Sequence, residues 1–296
     1  MRLYTIKYEG KEEVVAESPD NQLCFLSTAG IIVRDMNDLI CRYEDLKEEI
    51  VERIKSKDCK RIDIGECDIL APIPVPLQDI ICLGVNYRDH IEETVDVIDF
   101  TKKVDTVYFS KRVNRCTDPG GIIPEYDFVN SLDYEVELGV IIGKDAYNVS
   151  AEEADDYIFG YTIINDVSAR NIQLKHQQWF RGKSLDGYTP MGPCVVTKDE
   201  IADAGRLDIS CFVNDEMRQC SNTSYMITTV NEAISELSQG MTLKAGTIIA
   251  TGTPGGVAMG MKTPVFLKTG DVVKCVISKI GELDNTVGKV VQDEIR

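Results

Sequence analysis

The sequence predicts an α+β protein, mostly β, in which a small N-terminal α/β unit precedes a larger β-rich one. Three observations lead there. Residues 131–143 are an apolar, β-branched run, and stretches of similar strand character recur at 157–164, 207–213, 247–250 and 270–277. The longest helical spacing of apolar residues falls early, at Leu39, Ile40, Tyr43, Leu46, Ile50, Val51 and Ile54. Alternate prolines at Pro72, Pro74 and Pro76 favour an extended connection, so a linker over 71–76 divides units 1–70 and 77–296.

Composition narrows the function classes. The 296 residues are 43 % hydrophobic and 27 % charged, as in an ordinary globular protein with length enough for a sizeable core. No apolar run is long enough to span a bilayer and the first residues carry no signal-peptide core, so a cytoplasmic location is expected. A net charge of −17 argues against nucleic acid and against an anionic membrane surface as partners. The ten cysteines are scattered without a C-x-x-C pair, which favours free thiols over a disulfide framework and disfavours structural zinc. With only two histidines, a metal here would rely mainly on carboxylates, a donor set suited to Mg²⁺, Mn²⁺ or Ca²⁺.

Taken in order, residues 2–7 and 12–17 flank Glu9-Gly10-Lys11 as a hairpin, and a helix is expected within 35–57. After the linker, the apolar run Ile80-Ile81-Cys82-Leu83-Gly84 ends at Asn86 and delivers a polar segment to a strand end. There His90 and Glu93 stand three apart, one helical turn. A carboxylate beside an imidazole orients it and raises its basicity, as a general base requires; a surface pair is the competing reading. Residues 94–130 read as irregular, either a lid or a disordered connection.

The 131–143 run places Glu135 and Glu137 on one strand face, with Val136, Leu138 and Val140 on the other. Two like charges side by side need a cation between them or water around them. A short helix with a capping box is expected at Ser150–Asp156. The strand at 157–164 ends at Asn165-Asp166, where Asp166 is suited to cap a following helix that would carry Arg170 and Gln173 on its face. Lys183 lies in a turn-rich segment holding the sole tryptophan, Trp179. Gly182-Lys183-Ser184 fails as a phosphate-binding loop because Gln occupies position 177. Helical pattern returns at 230–238, and Thr251-Gly252-Thr253-Pro254-Gly255-Gly256 forms a glycine-rich loop able to bring N–H groups close to an anion.

From about Ile80 to Val287 these pieces, in this order, resemble the fumarylacetoacetate hydrolase family. The matching stretches are Gly84-Val85-Asn86-Tyr87 with His90, Asp133-Tyr134-Glu135-Val136-Glu137-Leu138, Asn165 to Arg170, Gly182-Lys183-Ser184, Asn222-Thr223 with Met226-Ile227, and Thr251-Gly252-Thr253-Pro254. The resemblance implies a mixed β-roll, usually dimeric, with one Mg²⁺ or Mn²⁺ on Glu135, Glu137 and Asp166. It implies water activation by His90 and Glu93, charge stabilisation by Lys183, and substrate contacts from Arg170, Gln173 and Thr253. The expected substrate is a small 2-oxo acid. Hydrolysis of a C–C bond in a 2,4-dioxo acid is the first expectation, decarboxylation of oxaloacetate-like acids or double-bond isomerisation the alternatives, and non-catalytic metal or anion binding the rival of another class. Arg112, Asn171 and Leu185 depart from common family residues, which bears on substrate identity more than on the ligands.

Overall fold

The computed structural model describes residues 1–56, 59–94, 105–176 and 178–289. Strands β1 (Arg2–Tyr8) and β2 (Lys11–Glu17) form the expected hairpin, with Glu9 and Gly10 at positive φ in its turn. Strand β3 (Leu23–Phe25) pairs with β2. The expected helix is two, α1 (Met36–Cys41) and α2 (Tyr43–Lys55), broken at Arg42. Asp35 caps α1 by accepting from the Asp38 N–H at 2.8 Å, and Ile50 and Ile54 form the buried stripe of α2. Strands β4 (Arg61–Ile62) and β5 (Asp68–Ile69) follow. The extended 71–76 segment is held by carbonyls: Pro72 accepts from the Thr5 hydroxyl and Pro74 from the Cys116 N–H.

Beyond it come β6 (Ile80–Gly84), α3 (Arg88–Thr94), β7 (Val107–Lys111) and β8 (Ile122–Pro124). The lid expectation for 94–130 lies partly outside the described residues; within the rest, β7 and β8 pair into sheets and the residues between and after them are irregular as expected. Next are β9 (Leu132–Asp133), β10 (Val136–Ile142), β11 (Ile158–Asn165) and β12 (Ser168–Ala169). The helix expected at Ser150–Asp156 is a 3₁₀ turn at Ala154–Tyr157, although Glu153 does accept from the Ser150 N–H and hydroxyl. Helices α4 (Arg170–Lys175) and α5 (Phe180–Lys183) precede β13 (Met191–Thr197), β14 (Asp208–Val213) and β15 (Glu216–Asn222). Helix α6 (Val230–Ser238) carries a full Thr229/Glu232 capping box and leads to β16 (Ile248–Ala250), β17 (Val272–Ile277) and β18 (Gly281–Gly288).

Among the described residues these strands form a large mixed sheet in the order β4-β3-β2-β1-β13-β11-β10-β16-β6-β7, a second in the order β15-β14-β17-β18-β8, and the short pair β9-β12. The β1–β13 pairing carries the strands of the first 70 residues into the main sheet without a break. One apolar cluster fills the space between the two larger sheets with Leu138, Val140, Ile163, Cys211, Cys275 and Leu283. The other covers the opposite face of the main sheet, where Leu39, Ile40, Ile50 and Ile54 meet Ile141, Ile164 and Val195. The expectation of free thiols fails at one place. Cys24 on β3 and Cys59 before β4 are disulfide-bonded, because adjacent strands bring Cα atoms 35 residues apart in sequence to 6.1 Å. No described helix is long and apolar enough to cross a membrane.

Candidate metal and active site

Strands β10 and β11 run antiparallel with Val136 opposite Asn165 and Glu137 opposite Ile164, so the carboxylate end of one meets the Asn165-Asp166 end of the other. Period-two alternation sends Val136, Leu138 and Val140 into the inter-sheet core and leaves Glu137 on the face of Gly139 and Ile141. Glu135 stands just before the strand. Its N–H donates to Asn165 Oδ1 at 3.0 Å, and its carbonyl accepts from the Asp166 N–H at 2.8 Å. Glu135, Glu137 and Asp166 are thereby fixed in one place, 4 %, 1 % and 0 % exposed, with one oxygen of each within 4.8 Å of the others.

Three buried carboxylates this close repel strongly unless compensated. Lys183 Nζ lies 2.6 Å from Glu135 Oε2 and 2.7 Å from Asp166 Oδ2. Lys111 Nζ lies 2.5 Å from Asp166 Oδ1 and donates to the Val167 carbonyl at 3.1 Å. Arg170 Nη2 is 2.6 Å from Glu135 Oε1. Burial pushes the Glu135 carboxyl up, but Lys183, Arg170 and His90 outweigh it and hold the group down at about 2. Burial pushes Glu137 well above the usual carboxylate range, with Asp166 and Glu135 adding to the rise; Lys183 and the Gly252 N–H, which donates to Oε2 at 2.8 Å, only partly oppose it. Burial alone would lower Lys183, yet Asp166 and Glu135 raise it.

With Asp133, four buried carboxylates face the three buried cations Lys111, Arg170 and Lys183, and among the described residues no ion pair involves Glu137. A buried centre of hard oxygen donors, one of them without an ion-pair partner, fits one divalent ion of the Mg²⁺ or Mn²⁺ kind.

The second group stands across the cavity. His90 and Glu93 lie on α3, with His90 Nδ1 2.9 Å from Glu93 Oε1. Glu93 Oε2 accepts from the Gly256 N–H at 2.7 Å. The anions gripped by the glycine-rich loop are therefore the protein's own carboxylates, Glu137 through Gly252 and Glu93 through Gly256. Thr253 donates its hydroxyl to the Val136 carbonyl and accepts from Gln219 Nε2, so one lone pair is left for a ligand.

Seven of the nine expected site residues line one narrow cavity of about 20 Å³: His90, Glu135, Glu137, Arg170, Gln173, Lys183 and Thr253. Glu93 stands behind His90, and Asp166 behind the two lysines. One expectation is corrected. Asp166 does not cap a helix, because Ser168-Ala169 pair with Asp133-Leu132 as a strand and α4 begins only at Arg170. Arg170 and Gln173 do share that helix, joined by an Arg170 Nη1 to Gln173 Oε1 bond of 3.0 Å. Lys183, at the end of α5, is 2 % exposed.

Sequence reasoning missed Lys111, Asp133 and the apolar wall. Trp179 packs edge-on to Phe109 with centroids 5.2 Å apart, in a notch that Gly84 leaves open; a Cβ there would come within 2.4 Å of the indole. A lysine ending an apolar strand and a glycine ending another were the available signals.

The model of the fumarylacetoacetate hydrolase C-terminal family matches residues 79–288. The chain is 46 % identical over 226 residues to a curated protein named oxaloacetate tautomerase YisK from Bacillus subtilis, spanning 76 % of this chain and 74 % of that one. It superposes on the structure of a fumarylacetoacetate hydrolase from the psychrophile Exiguobacterium antarcticum with a TM-score of 0.83 and 35 % identity, covering 98 % of this chain and 100 % of the other. A maleylpyruvate hydrolase from Sphingobium sp. SYK-6, solved with manganese(II) and pyruvate, gives 0.80 and 26 % over the same shares. The chain belongs to the fumarylacetoacetate hydrolase family and is an enzyme of its metal-dependent hydrolase, lyase and isomerase kind.

Proposed function

We propose that this enzyme interconverts the enol and keto forms of a small 2-oxo dicarboxylate of the oxaloacetate class, with Mg²⁺ or Mn²⁺ on Glu135, Glu137 and Asp166. The observation that carries this reading is the pairing of an imidazole–carboxylate dyad with a buried cavity that sets Arg170 and Lys183 beside Glu135 and Glu137, walled by Trp179, Phe109 and Met259. The name of the 46 % identical relative supports the same class.

Glu135, Glu137 and Asp166 would hold a divalent ion, which would supply Lewis acidity toward the oxygens of a 2-oxo acid. The remaining roles belong to side chains. Arg170 has five N–H donors, of which Asp133, Gln173 and Glu135 face three, leaving two for a substrate carboxylate. Lys183 sits where it can pair with charge developing on the substrate oxygen. His90, oriented by Glu93, moves the proton: one leaves the enol hydroxyl and one arrives at the adjacent carbon, so the isomerisation consumes nothing. Burial of the site keeps bulk water from the intermediate.

A second reading, hydrolytic C–C cleavage of an acylpyruvate, is favoured by the same dyad, which can instead deprotonate a water, and by the relatives named hydrolases. One experiment separates them. Metal-stripped enzyme with and without Mg²⁺ is given freshly dissolved enol oxaloacetate or an acylpyruvate, and enol absorbance, CO₂ and product acids are followed together. Metal-dependent loss of oxaloacetate enol without CO₂ is the expected result. Pyruvate and a second acid from the acylpyruvate would favour hydrolysis, and CO₂ release a decarboxylase.

A further inference from the structure

Asp133 is fully buried, lines no part of the cavity, and enters the chemistry above only as the partner of Arg170 Nε. Its surroundings are specific. Oδ1 accepts from the Tyr134 N–H at 2.9 Å and the Ala258 N–H at 2.8 Å; Oδ2 accepts from the Met259 N–H at 3.0 Å and Arg170 Nε at 2.8 Å. Four donors on two oxygens make this a carboxylate whose orientation is fixed, and beyond its own neighbour it reaches two parts of the site, Arg170 and the Ala258–Met259 turn.

Through Arg170 it sets the plane of the guanidinium. Asp133 holds Nε, Gln173 faces Nη1 and Glu135 faces Nη2, so the fork is held on three sides while Arg170 lines the cavity. Through Ala258 and Met259 it anchors the 3₁₀ turn at Ala258–Gly260. That turn carries Met259 to the cavity wall and lays Gly260 against Glu93: a Cβ at Gly260 would come within 2.5 Å of Glu93 Cδ. One side chain thus ties the candidate substrate-binding arginine to the support beneath the candidate general-base pair.

We infer that Asp133 is a positioning residue that aims Arg170 at the substrate carboxylate and registers it with the Met259–Gly260 wall. The inference rests on the reading of Arg170 as a substrate ligand. Asparagine is nearly isosteric but places an N–H₂ against two of the four donors whichever way the amide is turned, so it breaks the arrangement without opening a cavity.

The test is a double-mutant cycle on Asp133→Asn and Arg170→Gln, reading KM for oxaloacetate, the Kd of oxalate in saturating Mg²⁺, and Mg²⁺ affinity. Asp133→Asn is expected to raise KM and the oxalate Kd about tenfold, as Arg170→Gln does, and to leave Mg²⁺ binding within about twofold. In the Arg170→Gln background it should add nothing further to KM. A purely structural role would add its effect in both backgrounds. Wild-type KM in Asp133→Asn, or additive effects, would overturn the inference. Wild-type KM in Arg170→Gln would instead remove the reading of Arg170, and the inference with it. Should Asp133→Asn not fold, Arg170→Lys approaches from the other side. Keeping the charge but losing the fork should raise KM as much as Arg170→Gln does, and wild-type KM in that variant would overturn the inference.

Discussion

Two ion pairs of nearly equal length show how little distance says by itself. On α2, Lys47 Nζ lies 2.7 Å from Glu44 Oε2, and both side chains are well exposed. Beneath the cavity, Lys183 Nζ lies 2.6 Å from Glu135 Oε2 with both buried. Water screens the first pair and lets either partner go unpaired at little cost. The second has no such recourse, because removing one partner strands a charge away from water. Buried carboxylates and cations in such density are concentrated at functional sites, and this cluster sits at one end of the β10–β11 pair.

That contrast can be broken or sharpened by substitution. The largest effect is expected at the centre itself. Glu135→Gln should abolish metal-dependent turnover, a loss of at least about a hundredfold, checked by assay with and without Mg²⁺. His90→Gln should lower kcat by about 10²–10⁴ while Mg²⁺ affinity, read by calorimetry, stays at the wild-type value. Lys183→Met should cost about 3–5 kcal/mol in denaturant unfolding, whereas Lys47→Met should leave the midpoint unmoved. Equal shifts for the two lysines would dissolve the comparison. Cys24→Ser, which opens the Cys24–Cys59 loop far from the cavity, should cost about 2–4 kcal/mol of stability and leave kcat and KM unchanged.

Much of this was legible in the sequence, and the parts that were not share a cause. Period-two alternation placed Glu135 and Glu137 on a common face, and their strand context marked them as unusual. His90 and Glu93 were readable because one helical turn separates them. Local patterns also gave the β1–β2 hairpin and α6 with its cap. Asp166 was misread as a helix cap because its real partners, Lys111 and Lys183, lie 55 and 17 residues away and leave no local trace. Lys111 and Asp133 are ordinary charged residues until the sheets bring Asp166 and Arg170 to them. The Cys24–Cys59 bond depends on the β3–β4 pairing, which spacing alone does not reveal. The continuation of the N-terminal strands into the main sheet is likewise a matter of edge pairing between β1 and β13, to which the proline-rich segment gives no clue.

The central claim is that Glu135, Glu137 and Asp166 together hold one divalent ion. Calorimetric titration of metal-stripped protein with Mn²⁺ tests it most directly, in the wild type and in Glu137→Gln, with the fold of both checked by circular dichroism. One ion per wild-type chain, with binding lost or greatly weakened in the folded variant, is the expected result. Unchanged affinity and stoichiometry in Glu137→Gln, or no binding by the wild type, would contradict it.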